Sequence, residues 1–229
     1  RYSDESTLPM ATSPFPAADF SRAPSETEPD NPAALASPIG PGLASRGDIR
    51  SGDYDYYSFE TTGDPQLWAI ETVGKSVSSL MYYGGGNQAT GAQRLDSTRL
   101  VIPNLYLTAG KHSLGLIASS GQGGPYTIRA IPLGKPDLRM EQEPNDAETL
   151  AHPLRPGIPR VGMLLDRNDR DSYGFALTEA ARVQLTVISP PDIAITVTLT
   201  RSIGPPHTFV AQSKGENAHM DLMLPPGEY

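Results

Sequence analysis

The sequence predicts an all-β chain made of two antiparallel β-sandwiches in tandem. Three observations carry that expectation. Gly and Pro, 22 and 23 residues, make up about a fifth of the 229 residues, too dense for long helices, since each costs roughly 1 or 3 kcal/mol in a helix interior. Short segments of alternating apolar and β-branched residues recur about every ten residues between turn clusters, the signature of a sandwich. The chain also repeats itself, and an internal repeat settles domain number better than length does.

Four blocks recur in the same order about 115 residues apart. Glu26-Thr27-Glu28-Pro29-Asp30-Asn31 matches Glu141-Gln142-Glu143-Pro144-Asn145-Asp146, and Gly47-Asp48-Ile49 matches Gly162-Met163-Leu164. Asp53-Tyr54-Asp55-Tyr56-Tyr57-Ser58-Phe59 matches Asp169-Arg170-Asp171-Ser172-Tyr173-Gly174-Phe175, and Leu107-Thr108-Ala109-Gly110 matches Leu224-Pro225-Pro226-Gly227. The expected organisation is a linker or tail over 1–24, a first sandwich over 25–133 and a second over 134–229, with a breaker-rich boundary at Leu133-Gly134-Lys135-Pro136-Asp137.

In the first copy, strands are expected at Gln66–Val73, Arg99–Ile102, Leu114–Ala118 and Tyr126–Ile131. In the second they are expected at Gln184–Val187 and Ile193–Leu199. Gly84-Gly85-Gly86-Asn87 and Gly121–Pro125 read as turns, and short helical turns are expected at Pro32–Leu35 and Ala147–Leu150. The first copy runs on past Gly110 to Ile131, whereas the second reaches only Tyr229, which aligns with His112. The second sandwich is therefore expected to lack its final strands in this chain. That loss of about four buried side chains, at roughly 1.5 to 3 kcal/mol each, is comparable with the roughly 5 to 15 kcal/mol that holds a domain folded. Completion is expected from a cleaved segment, a partner's strand added to the open edge, or residues outside the structure.

The blocks, in the order Glu-x-Glu-Pro with Asn and Asp, Gly before a strand, Asp-x-Asp-x-Tyr-x-Phe and a Leu-x-x-Gly turn, resemble the bacterial pre-peptidase C-terminal (PPC) domain, a group that includes the collagen-binding domains of clostridial collagenases. The resemblance covers about 26–131 and 141–229. It implies jelly-roll-like sandwiches placed beside the catalytic region of secreted or surface proteins, without catalysis of their own. In collagen-binding members the Glu-x-Glu-Pro-Asn-Asp segment and nearby loop carboxylates bind calcium.

The residues themselves agree with calcium. In an extended chain positions i, i+2 and i+4 share a face, so Glu141, Glu143 and Asn145 can converge, with Asp146 at the corner and Asp169 and Asp171 as loop partners. Their counterparts are Glu26, Glu28, Asp30, Asn31, Asp53 and Asp55, with the Asp and Asn order exchanged. All offer hard oxygens of the kind Ca²⁺ collects six to eight at a time. The competing reading is that these acids cap a helical turn and that the Asp-x-Asp pairs form turns.

Among the aromatics, Tyr56, Tyr57, Phe59, Tyr173 and Phe175 read as core and strand-pair residues. Tyr82 and Tyr83 are the better surface-binding candidates, although covering a sheet edge is the stronger expectation for both. Other motifs fail. Gly74-Lys75-Ser76 lacks the glycine a phosphate loop needs five residues earlier, and 166–177 departs from an EF-hand loop at Arg170 and Leu177. Arg46-Gly47-Asp48 reads as a strand start. The four histidines, His112, His152, His207 and His219, have no metalloprotease spacing, and no Gly-x-Ser-x-Gly elbow exists.

Composition narrows the partners. With 18 Lys and Arg against 26 Asp and Glu, the formal net charge of −8 opposes a nucleic-acid partner, which needs clustered cations. The absence of Cys removes thiolate metal sites and cysteine nucleophiles, and no apolar run reaches the ~20 residues of a membrane span. The expected function is that of non-catalytic, calcium-binding modules for attachment or substrate targeting in a secreted, cell-surface or periplasmic bacterial protein. The expected partner is an extracellular protein or polysaccharide, or another segment of the parent protein. The alternative is a structural or assembly arm of a larger extracellular or periplasmic complex.

Overall fold

The computed structural model describes residues 20–40, 43–84, 89–137, 139–165, 169–201, 205–210 and 213–229. The expected tail 1–24 thus lies mostly outside the described residues, as do part of the Gly84–Asn87 turn and of the 166–177 segment. The chain forms two compact units, one from its start to Pro144 together with Val161–Asp169, the other from Asn145–Arg160 and Arg170–Tyr229.

The first unit is a sandwich of two five-stranded sheets. Its strands are β1 (Ser37–Pro38), β2 (Ala44–Ile49), β3 (Tyr54–Thr61), β4 (Gln66–Val73), β5 (Val77–Tyr83), β6 (Ala89–Gly91), β7 (Gln93–Arg94), β8 (Arg99–Leu107), β9 (Gly110–Ala118) and β10 (Gly124–Gly134). One sheet has the order β1-β3-β9-β5-β6 and the other β2-β10-β4-β8-β7. All pairs are antiparallel except β1 with β3. Alternation along the strands sends one side chain in two between the sheets. Leu114, Leu116 and Ala118 of β9 and Leu80 and Tyr82 of β5 thereby meet Ile70, Ile102, Leu105 and Ile128 of the other sheet in one core. Burying each large aliphatic side chain contributes about 1.5 to 3 kcal/mol. Leu165, far along the chain, joins the same core with Met163 against it.

Two features run against the apolar pattern. Glu71 on β4 is buried, and the guanidinium of Arg129 on β10 reaches it at 2.5 Å while that of Arg99 on β8 lies 3.4 Å away. His112 stands in the core against the rings of Phe59 and Tyr82. Its Nε2 is 2.9 Å from the Thr61 hydroxyl, and its Nδ1 is 3.1 Å from that of Tyr82. Tyr82 is therefore a core residue, in phase with Leu80, whereas Tyr83 faces outward and is 37% exposed.

The second unit contains β11 (His152–Pro153), β12 (Tyr173–Gly174), β13 (Ala176–Leu177), β14 (Ala181–Val187), β15 (Thr196–Leu199), β16 (His207–Val210), β17 (Ala218–Leu224) and β18 (Gly227–Glu228). They form four two-stranded pairs, β11 with β12, β13 with β18, β14 with β17 and β15 with β16. Its core is small: Leu199, Met220 and Leu224 with partly buried Phe175, Leu177, Val183, Leu185, Phe209, Leu222 and Tyr229. Each pair has a counterpart at the matching sequence position of the first unit. The parallel pair β11·β12 corresponds to β1·β3, and β14·β17 to β4·β8. Among the described residues β14 pairs on one side alone, whereas β4 is flanked by β10 and β8. Short 3-10 turns follow both Glu-Pro blocks, at Ala33–Leu35 and Glu148–Leu150.

Candidate functional site

The first acidic block enters its sandwich as an extended segment laid parallel to β2. Glu26 donates its backbone N–H to the Arg46 carbonyl at 2.8 Å, and Arg46 donates to the Pro24 carbonyl at 2.9 Å. This fixes Glu26 over Gly47, where a Cβ would stand 2.3 Å from both the Glu26 carboxylate and the Tyr126 ring. Glycine is required there by close approach. The Arg46-Gly47-Asp48 triplet lies within β2.

Beyond Glu26 the carboxylates of Glu28, Asp53 and Asp55 converge, each offering an oxygen within 4.8 Å of the others. Asp53 and Asp55 come from the turn before β3 and from β3 itself. Asp53 donates its N–H to the Arg50 carbonyl at 3.0 Å, closing that turn, and Gly52 occupies the left-handed region at φ +79°. Glu28 holds the Asp30 N–H at 3.2 Å. An open cavity of about 500 Å³ adjoins the cluster, lined by Glu28, Pro29, Asn31, Arg50, Gly52 and Asp53.

Burial gives this cluster its chemistry. Asp55 is fully buried; its Oδ2 accepts the Tyr126 hydroxyl at 2.7 Å, and its Oδ1 has no hydrogen-bond partner. Asp30 is equally buried, and neither of its carboxylate oxygens accepts a hydrogen bond. Burial is the main cause that pushes Asp55 up to about 7. The Tyr126 hydroxyl opposes it, and the charges of Glu26, Asp30 and Asp53 add to it. Asp30 is pushed up to about 6, again mainly by burial, and the charges of Glu26, Glu28 and Asp53 add to it. Unpartnered carboxylate oxygens in a dry site are costly unless a cation joins them.

Two oxygens bound to one Ca²⁺ at 2.3–2.6 Å stand at most about 5 Å apart, so carboxylate oxygens within 4.8 Å of one another could share such an ion. Glu28, Asp53 and Asp55 would be the ligands, with Asp30 beside them. Glu26 faces the other way: its Oε1 accepts the Asp48 N–H at 2.7 Å and its Oε2 the Tyr57 hydroxyl at 2.7 Å, while the Tyr126 hydroxyl, whose single proton lies between Glu26 and Asp55, is 2.5 Å from Oε2. Asn31 lines the cavity. The spacing of residues could not reveal the tyrosine pair, because Tyr126 lies 100 positions from Glu26; its one signal was a tyrosine at an inward position of a strand.

The second block is divided between the units after Pro144. In the first unit Glu141 repeats the backbone pattern of Glu26, donating to the Val161 carbonyl at 2.9 Å while Val161 donates to Arg139 at 2.8 Å. Its carboxylate accepts the Met163 N–H, the counterpart of Asp48. Glu143 is buried and pairs its backbone with β8, donating to the Asn104 carbonyl and accepting from the Tyr106 N–H, both at 2.9 Å. The Asp169 carboxylate accepts the Leu165 N–H. In the second unit Asn145 is buried, Asp146 accepts the Arg170 N–H at 3.3 Å, and Asp171 is half-buried.

No protein-family profile matches the chain. Among solved structures it is similar to the pre-peptidase C-terminal domain of the collagenase from Bacillus anthracis, at 18% identity and a TM-score of 0.35, over 42% of this chain and 93% of that one. It is also similar to PliG of Salmonella Typhimurium, a periplasmic inhibitor of g-type lysozyme, at 18% identity and a TM-score of 0.26, over 39% of this chain and 87% of that one. Among the described residues no helix is long and apolar enough to cross a membrane.

Proposed function

We propose that this chain is a pair of non-catalytic β-sandwich modules, two copies of one domain, that binds Ca²⁺ through Glu28, Asp53 and Asp55 and serves attachment or substrate targeting in a secreted or cell-surface bacterial protein. The observation that carries the cation is the fully buried Asp55, whose Oδ1 has no hydrogen-bond partner while it meets two further carboxylates within 4.8 Å. The matched strand pairs and the matched backbone bonds of Glu26 and Glu141 support the two-copy reading.

Calcium supplies positive charge to carboxylates that otherwise repel one another and pins the Glu28 segment to the turn before β3. Isothermal calorimetry with CaCl2 tests this on the full chain. Binding is expected for the native chain, and Glu28→Gln should abolish it or weaken it by more than tenfold. No heat and no thermal shift at millimolar Ca²⁺ would refute the cation site.

A further inference from the structure

We propose that Glu26 is a positioning residue of this cation site and not one of its ligands: through the hydroxyls of Tyr57 and Tyr126 it sets the orientation of Asp55. The inference rests on the calcium reading above and assigns the first acid of the block a role distinct from that of the second.

Both oxygens of Glu26 are already engaged, one by the Asp48 N–H and the other by the Tyr57 hydroxyl, with the Tyr126 hydroxyl 2.5 Å from it. Those hydroxyls are 2.8 Å apart, and that of Tyr126 also reaches Asp55 Oδ2 at 2.7 Å. Oδ2 is thus held by Tyr126 while Oδ1 has no hydrogen-bond partner, and Asp55 offers a carboxylate oxygen to the group it forms with Glu28 and Asp53. The support behind it is stiff. Tyr57 and Tyr126 are buried, on β3 and β10, and their rings meet edge to face at 6.3 Å and 89°, a favoured aromatic geometry. Gly47 leaves the space that the Glu26 carboxylate and the Tyr126 ring fill. Outer-shell partners of this kind typically change metal affinity by about 10- to 100-fold when removed.

The test uses calcium calorimetry together with Tb³⁺ luminescence lifetimes in H2O and D2O, which count the waters on the bound ion. The full chain is compared with Glu26→Gln, Tyr126→Phe, their double variant and Glu28→Gln. Glu26→Gln and Tyr126→Phe should each weaken Ca²⁺ binding about 10- to 100-fold, and the double variant should be no weaker than the worse single one, because both break the same link. The water count should stay unchanged in Glu26→Gln and rise in Glu28→Gln. An added water in Glu26→Gln, multiplying losses in the double variant, or unchanged affinity in both single variants would overturn the assignment. If Glu26→Gln does not fold, Tyr126→Phe with Tyr57→Phe carries the same comparison. A native chain that binds neither Ca²⁺ nor Tb³⁺ refutes the underlying cation site, a result distinct from any of these.

Discussion

Replacing Asp30 by Asn should make the calcium-free protein more stable at pH 7.5 while making calcium stabilise it less. The sign follows from the direction of its shift. The folded group is pushed up from 3.8 to about 6, mainly by burial, so the folded chain holds a proton that the unfolded chain has released between those values. Asp30 is therefore neutral in both states below 3.8, and its unfavourable contribution grows as pH rises and is complete above about 6. At about 1.4 kcal/mol per pH unit the ionised carboxylate costs the calcium-free fold about 3 kcal/mol. The amide of Asn retains part of the desolvation cost, so the net gain is roughly 1 to 3 kcal/mol, on the order of 2–12 °C in melting temperature for a unit of this size. With Ca²⁺ at about 100 times its Kd the native chain should gain about 2.7 kcal/mol, and a tenfold weaker site would forfeit about 1.4 of that. Differential scanning calorimetry at pH 4 and 7.5, with EDTA and with CaCl2, measures all four corners. A lower calcium-free melting temperature for Asp30→Asn at pH 7.5 would show that Asp30 is not strained, and an undiminished calcium shift that it is not part of the site.

Two further expectations concern the core. Burial, opposed in part by the Thr108 carbonyl, holds His112 below its usual 6.5, so the unfolded chain takes up its proton first and the stability contributed by the neutral ring is lost as pH falls below 6.5; in calorimetry the melting temperature of the native chain minus that of His112→Gln should decline from pH 7 to 5, and a flat difference would refute it. Glu71→Ala should leave Arg129 without its buried partner and cost about 3 to 5 kcal/mol, read by urea denaturation, and a loss under 1 kcal/mol would mean that water already reaches the pair.

How much of this was legible depended on how local each cause is. Gln66–Val73 was readable to the residue because its β-branched and apolar run is buried on both faces over most of its length. The strand expected from Ile193 begins instead at Thr196, because Ile193 spends its N–H on the Pro190 carbonyl at 3.2 Å and its own carbonyl on Gly215 at 3.0 Å, closing the Pro-Pro-Asp turn. Tyr82 was readable as core from its spacing to Leu80, but the adjacent glycines suggested a surface. The convergence of Glu28 with Asp53 and Asp55 was legible in the repeated motifs. The opposed directions of Glu26 and Glu28 were not, since they depend on β10 slotting between β2 and β4 and carrying Tyr126 to the block.

The route of the backbone has a practical corollary. It passes from one unit to the other at Pro144, returns at Val161 and leaves again after Asp169, while Leu165 is anchored in the first core. A truncation after Asp169 keeps every segment of the first unit, whereas a piece beginning at Asn145 holds the second unit only together with Val161–Asp169, which the first then lacks. A cut near Gly134 separates the strands of the first sandwich in sequence from Leu165 of its core and from Glu143, which pairs with β8.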